Sequence, residues 1–535
     1  MPLLCIFHEW TIMTKYLINR IIRSLVSIVI VIGIVMFMIY GLMDRNLIFA
    51  KDGQYSKTSN NLKRTYKYQT WEKYGYLDYV TYADYLQELL DNGEIDQATK
   101  DEAVSLGRTQ EGDSEIVTEY VNKFKKYYEG KGYTVKRLDA VMASPRRVAA
   151  GGNQALFAYC DQNLLVRLGN YLKNLITIDD IDNVENIVGE RGLTFTLHDP
   201  VYGGKKFAPA IMGNGTTHKY LLYFDDMFPY IHQNVFNISL GTSYSVNQGM
   251  DVYTTMNQAQ GEFKKSVITY PTGLTEESAD DLHTAKYVKG SRETLSTLKD
   301  RYVDDYTNVQ IKNKDFSKVG FSFVIGIIAV LLSYIIGVPL GIAMARKKDG
   351  LLDKLGTIYI VFIIAVPSLA YIFLFKAIGG AAGLPTVFDT SMGTNLIYVL
   401  PIVSIALKSI ADLMKWMRRY MIDQMNSDYV KFARSGGLSE SEIFRKHILK
   451  NAIIPIVHGI PGAIVTALVG AIITERVYVV PGAGNLLTKA INTYDNGVII
   501  GVTLFYALLS IIALICGDVL MSIVDPRISF SSKDR

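Results

Sequence analysis

Cysteine is nearly absent: the 535 residues hold only Cys5, Cys160 and Cys516. Their separation excludes a disulfide inside any one region, so each folded part must be held by packing. No G-x-x-x-x-G-K-[ST] occurs, which excludes nucleotide hydrolysis by the phosphate-loop route. H-E-x-x-H, Cys-His clusters and G-x-S-x-G are also missing, and the seven histidines are scattered, so neither metal catalysis nor a serine elbow is supported. His198, His218 and His232 read as surface or satisfied core residues. Gly151-Gly152, Gly203-Gly204, Gly213 and Gly215 read as turn signals, because no Lys-Ser or Lys-Thr follows them into a helix. Tandem repeats and low-complexity linkers do not stand out, and no charge pattern points to nucleic acid.

What the sequence has is apolar length. A mean hydropathy of +0.17 with net charge +4 is too apolar for an ordinary soluble enzyme and too charged for a pure membrane bundle. Runs of about 18 or more apolar residues mark six candidate spans: Leu25 to Met43, Val319 to Ala345, Gly356 to Ile378, Leu396 to Ala411, Ile453 to Thr474 and Gly497 to Val524. A cleaved signal peptide is set aside for the first, because the run is nearer a full span and no small-x-small site follows. Met13, followed by Thr14 and Lys15, is open as an alternative start to Met1.

Lysine and arginine cluster at alternate ends of these runs: Lys15, Arg20 and Arg23; Arg346, Lys347, Lys348 and Lys354; and Lys415 through Lys450. The positive-inside rule makes those segments cytoplasmic and puts both termini inside. The long stretch from residue 44 to 318 is then extracellular. It is slightly acidic and Tyr-rich at its start, and long enough for its own core. Tyr79, Tyr82, Leu86 and Leu89 are spaced for an amphipathic helix ending at Asn92-Gly93. "LTFTLHD", "YLLYFDDMF" and "GMDVYTTM" read as short strands, so a mixed α+β domain is expected.

Between the fourth and fifth runs lies "YVKFARSGGLSESEIFRKHILKNAIIP". Ser427 and Asp428 are suited to cap a first helix, Gly436-Gly437 to end it, and Ser439 with Glu442 to open a second by a capping box. Glu442 and Lys446 form a favourable i,i+4 pair. Val430, Ala433 and Arg434 fall on adjacent turns beside Phe432, while Ile443, Phe444 and Ile448 project between charges. Composition leans towards a loop lying on anionic lipid; a docking element for a cytoplasmic partner is the sharper reading.

These residues carry a resemblance. "KFARSGGLSESEIFRKHILKN" is similar to the EAA loop of permease subunits of ATP-binding-cassette importers, in the form of the oligopeptide and dipeptide branch. Ala433 stands at the motif's alanine, Gly437 at its glycine, and His447 with Leu449 at its end. Lys431 and Phe432 replace the Glu and Ala of the general motif, as that branch does. "IIGVPLGIAMARKKDGLLDK", "AVPSLAYIFL" and "TERVYVVPGAGNLLTKAINTYDNGVIIG" resemble the family's later spans and outer turn, and Asp525, Pro526 and Arg527 its closing motif. The likeness covers 15 to 43 and 319 to 530, and the large insert resembles the enlarged peptide permeases of Gram-positive bacteria.

The resemblance implies a type I importer permease with six transmembrane helices and an α+β domain between the first two. Its division would be 1–43, the insert 44–318, the core 319–530 with the coupling loop 412–452, and a tail 531–535. It implies a second permease, two ATPases that bind ATP and Mg, a substrate-binding lipoprotein and a peptide substrate in lipid, with no cofactor in this chain. Lys431, Phe432, Ala433, Arg434, Gly437, Leu438, Ser439, Glu442, Phe444 and His447 become the ATPase-coupling candidates. Charge and hydroxyls inside spans are candidates for the path: Thr466, Thr474, Glu475 and Asp518, the last with an intersubunit or backbone partner as the preferred reading. Lys376 and Lys408 read as snorkelling from span ends. The competing reading is a membrane-anchored sensor or enzyme working through the insert.

Overall fold

A computed structural model describes residues 2–104, 114–137, 156–178, 192–198, 207–214, 220–224, 231–233, 236–287, 300–302 and 307–524. Asp525, Pro526 and Arg527, the tail 531–535, His218, Gly151-Gly152, Gly203-Gly204 and Gly215 lie outside them. The membrane part consists of α1 (Pro2–Phe37), α2 (Lys318–Arg346), α3 (Leu351–Ala365), α4 (Ser368–Ala381), α5 (Val399–Met425), α6 (Asp428–Ser435), α7 (Ile460–Tyr478), α8 (Ala483–Asn492) and α9 (Asn496–Val524).

Four stretches are straight, long and apolar enough to cross a membrane: Ile18–Leu42, Lys318–Arg346, Asn395–Met425 and Asn496–Val524. The third and fifth expected spans are bent pairs instead. Leu351–Ala365 and Ser368–Ala381 meet at 114°. Pro367 explains the break, since it has no N–H to donate and pushes Val366 into an extended conformation (φ −86°, ψ 132°). Glu440–His458 and Ile460–Val469 meet at 41°, with Pro461 just past the bend.

The centre of this part is the pair α2 and α5, which run parallel. Ser333, Gly337 and Gly341 repeat every four residues on α2 and all are buried. The Ser333 hydroxyl donates to the Ala406 carbonyl at 3.3 Å. A Cβ on Gly337 would meet the Ile410 carbonyl at 3.1 Å, and one on Gly341 the Met414 carbonyl at 2.9 Å. A small residue at each fourth position thus lets the two backbones touch, the packing that membranes favour where apolar burial gives no advantage over lipid. Phe321, Ile325, Ala329, Ile405, Ala406 and Met414 fill the surrounding core.

The insert begins with a layer of aromatic side chains. Phe49, Trp71, Tyr74, Tyr76 and Tyr244 form one cluster. An antiparallel sheet, Leu77–Thr81 beside Leu156–Asp161 beside Thr134–Arg137, packs on helices Tyr82–Asp91 and Glu115–Gly130. The expected helix starts later than its periodicity suggested. Tyr79 belongs to the first strand, and Thr81 with Asp84 closes a capping box that starts the helix at Tyr82. "GMDVYTTM" is also corrected, because Asp251 accepts from the Tyr253 amide and caps a short helix, Val252–Met256. "LTFTLHD" is a strand, Gly192–His198, in a four-stranded antiparallel sheet. Helix Leu164–Lys173 lies against α1, with Leu168 reaching Gly33.

One buried carboxylate makes the densest polar contact between the insert and the membrane part. Asp495, fully buried at the start of α9, accepts from the Ser243 hydroxyl at 2.7 Å and from the backbone amides of Tyr244, Ser245 and Val246 at 2.8–2.9 Å. It also accepts from the Val498 amide of its own helix. Beside it Gly497 leaves room for the Thr242 carbonyl and Gly501 for Leu240; a Cβ at either position would collide with backbone. Asp495→Ala would leave four amides and a hydroxyl without this acceptor, a loss of about 2 kcal/mol or more. We expect new protease cleavage between residues 239 and 251 and a lower unfolding temperature in detergent, and cleavage identical to wild type would contradict the clamp.

Candidate functional site: the loop between α5 and α7

After α5 the chain makes α6, turns through two glycines and rises again through Glu440–His458. The Ser427 side chain does not cap α6 as expected; its hydroxyl donates back to Gln424 at 2.6 Å. Asp428 instead pairs with Lys431 at 2.8 Å, and that hydrogen bond holds its carboxyl below the ordinary range. At the other end Gly437 takes a left-handed conformation (φ 82°). The Leu438 amide then reaches the Ala433 carbonyl and the Gly437 amide the Arg434 carbonyl, closing the helix with paired bonds. The second stretch opens with the Ser439 and Glu442 capping box, and Lys446 lies 3.4 Å from Glu442.

The two glycines therefore make a fixed turn. Arg434 spans it, its Nε and Nη2 donating to Glu440 at 2.5 and 3.1 Å. This two-pronged contact sets the angle between α6 and the Glu440–His458 stretch. Ile443–Leu449 is wound as a π-helix, a local widening in the next two turns.

The apolar residues of the loop divide into two sets. Val430, Ile443 and Ile448 are buried against Ala345 of α2 and Met417 and Met421 of α5. Ile443 and Ile448, which the sequence reads as projecting between charges, are buried instead and anchor the loop to its own chain. Phe444 is half-buried with the Arg346 guanidinium 4.7 Å over its ring. His447 lies beside Tyr429, whose hydroxyl reaches the His447 carbonyl at 3.4 Å. Ala433 is half-buried, whereas Phe432 is 76% exposed and Leu438, Lys431 and Arg434 are exposed around it.

A further ion pair supports the same end of the molecule. Asp353, buried in the first turn of α3, receives Nε of Arg418 at 2.5 Å and Nη2 at 2.8 Å. It also accepts from the Asp349 amide at 2.9 Å, which pins the turn between α2 and α3 to α5. Sequence reasoning placed Asp353 in a motif without finding this role. The available signal was two acids, Asp349 and Asp353, among Arg346, Lys347, Lys348 and Lys354.

The path candidates are not brought together. Thr466 is exposed on α7, its hydroxyl donating to Gly462. Thr474 and Glu475 are buried. Glu475 accepts from the Ser322 hydroxyl at 2.6 Å and from the Asn485 amide at 3.0 Å, so it caps α8 within the chain. Asp518 pairs with Arg20 of α1, an intrachain partner where an intersubunit or backbone one was expected. Lys376 donates to the Val477 carbonyl at 2.7 Å near the end of α7. Among the described residues no group of His, Cys, Asp or Glu could hold a metal.

One family model, the binding-protein-dependent transport system inner membrane component, matches residues 337–530. The oligopeptide transport system permease protein AmiC of Streptococcus pneumoniae is 34% identical over 97% of this chain and 99% of its own length. The dipeptide transport system permease proteins DppB of Lactococcus lactis and Bacillus subtilis are each 31% identical, over 42% and 41% of this chain and 73% and 71% of theirs. The streptococcal likeness runs through the insert as well as the helices, which sets aside a sensor or enzyme. The chain belongs to the permease subunits of binding-protein-dependent ABC importers, in their oligopeptide and dipeptide branch.

Proposed function

We propose that this chain pairs with a second permease to enclose a path for oligopeptides, and that two cytoplasmic ATPases, which bind ATP and Mg, drive it through the loop 412–452. The basic ends of α1, α2 and α5 face the cytoplasm on this reading, each bent pair counts as one crossing, and 44–318 is an extracellular domain. Thr466 is the path candidate left open on α7. A single observation carries the coupling role: Phe432 is 76% exposed on a loop whose opposite side is fastened to α2 and α5. A large apolar side chain ringed by Lys431, Arg434 and Leu438 is an anchor for a protein pocket.

The lever works because the loop is stiff. A push on Phe432 passes through Val430, Ile443 and Ile448 into Met417 and Met421, and so into the α2 and α5 pair. The insert receives the substrate-binding lipoprotein, a reading supported by its Tyr content and acidic tilt. Cross-linking mass spectrometry of the assembled importer checks this: contacts of the lipoprotein confined to residues outside 44–318 would reject it.

Phe432→Asp should abolish co-isolation of the ATPases and ATP-driven peptide uptake in proteoliposomes, while leaving the unfolding temperature within about 1 °C, since an exposed substitution disturbs no core. Retention of both ATPases by that variant would reject the docking role. Gly437 has open space where a Cβ would go, so substitution acts through its left-handed backbone alone. Asn tolerates that conformation and Val does not. Gly437→Asn should therefore keep most uptake and Gly437→Val lose about tenfold or more at equal membrane abundance; equal rates in the two variants would show that the fixed turn is not needed.

A further inference from the structure

The register of α2 against α5 fixes the depth of a charge that the chain leaves open. Ser333 faces Ala406, Gly337 faces Ile410 and Gly341 faces Met414, so Arg346 at the end of α2 is level with Arg419. Lys408 lies eleven positions before Arg419 (419 − 408), about 16 Å along the helix at 1.5 Å per residue. The hydrocarbon is about 30 Å thick, so Lys408 sits near its middle. That distance is longer than a lysine side chain can snorkel, and α5 itself continues to Met425.

The direction of Lys408 follows from the same packing. Ala406, Ile410, Met414 and Met417 face α2. Two residues further round, Lys408 and Asp412 point about 160° away from that contact. Tyr359 of α3 donates to the Leu407 carbonyl at 2.7 Å and α7 packs on another side, yet Lys408 stays exposed and Asp412 half-buried. Among the described residues neither makes a hydrogen bond or close ion pair, although Asp412, one turn from Lys408, feels the charge of both Lys408 and Lys415. Lys415, one turn further, is exposed on the same stripe. Charge at this depth does not face bare lipid; it is accommodated where water enters or a polar group meets it.

We propose that Lys408 and Asp412 form a mid-membrane contact on the translocation path for the charged termini of a peptide, Lys408 taking the terminal carboxylate and Asp412 the terminal ammonium. This rests on the importer reading above and assigns two of the residues that give it selectivity. A carboxylate beside a lysine in a confined aqueous path gains a charge-assisted hydrogen bond that an amide does not. A single contact, open on one side, still allows release.

The test uses the whole importer in liposomes, with Cys5, Cys160 and Cys516 replaced by Ser and Lys408→Cys introduced. A charged, membrane-impermeant thiosulfonate should modify residue 408. Its aminoethyl form, which restores the ammonium, should recover uptake of a free tetrapeptide, and its sulfonatoethyl form should not. In Lys408→Met the maximal rate for the free acid relative to its C-terminal amide should fall about tenfold, and Lys408→Arg should keep most of that ratio. Asp412→Asn should shift the corresponding ratio of free to N-acetylated peptide. Lack of modification, loss of the second permease from the complex, or an unchanged acid-to-amide ratio would overturn the proposal. If the wild-type importer moved no peptide at all, the importer reading itself would fail, which is a different result.

Discussion

The close parallel approach of α2 and α5 is the constraint on which the rest depends. Ser333, Gly337 and Gly341 keep the two backbones in contact along one face. Because α5 is thereby fixed in rotation as well as position, its remaining faces are assigned. Met417 and Met421 are presented to the loop between α5 and α7, Arg418 to Asp353, and Lys408 with Asp412 to the open side. Side chains larger than glycine at 337 or 341 would separate the helices and move all three.

Much of the membrane part was legible in the sequence. Apolar length located four long helices and two bent pairs, and the Ser439 box, the Gly437 exit and the Glu442–Lys446 pair are local chemistry within a few residues, which is why they were readable. What was not legible depended on distant partners. Nothing near Glu475 announces Ser322, and nothing near Asp518 announces Arg20. The apolar run ends at Ala411, just before Asp412, whereas the helix itself continues to Met425. Pro367 was visible as a residue, but a window of apolar composition carries no direction and so could not show a 114° bend.

The two ends of the molecule treat charge differently. At the loop, exposed pairs such as Lys431 with Asp428 contribute little to stability in water, and the two-pronged Arg434 contact with Glu440 matters chiefly as geometry. At the insert, Asp495 is buried, and its four donors from residues 243 to 246 convert a desolvated carboxylate into a fixed joint. Sequence reasoning saw Asp495 as part of a motif; the loop that satisfies it lies some 250 positions away and could not be guessed. The aromatic layer of Trp71, Tyr74, Tyr76 and Tyr244 covers that joint, which accounts for part of the tyrosine excess.

The central claim is that the coupling loop and the α2 and α5 pair move as one body when ATP binds. Its most direct test is a spin-label distance within this chain, between Ser435→Cys on α6 and Ile335→Cys on the exposed side of α2, with the native cysteines replaced by serine. It would be measured in the reconstituted importer with and without trapped ATP. The account predicts the same distance in both states, within about 2 Å, a shift smaller than the element motions that switch such assemblies. A change of about 5 Å or more within the chain would mean that the loop swings on its glycines and that force does not reach the helices as described.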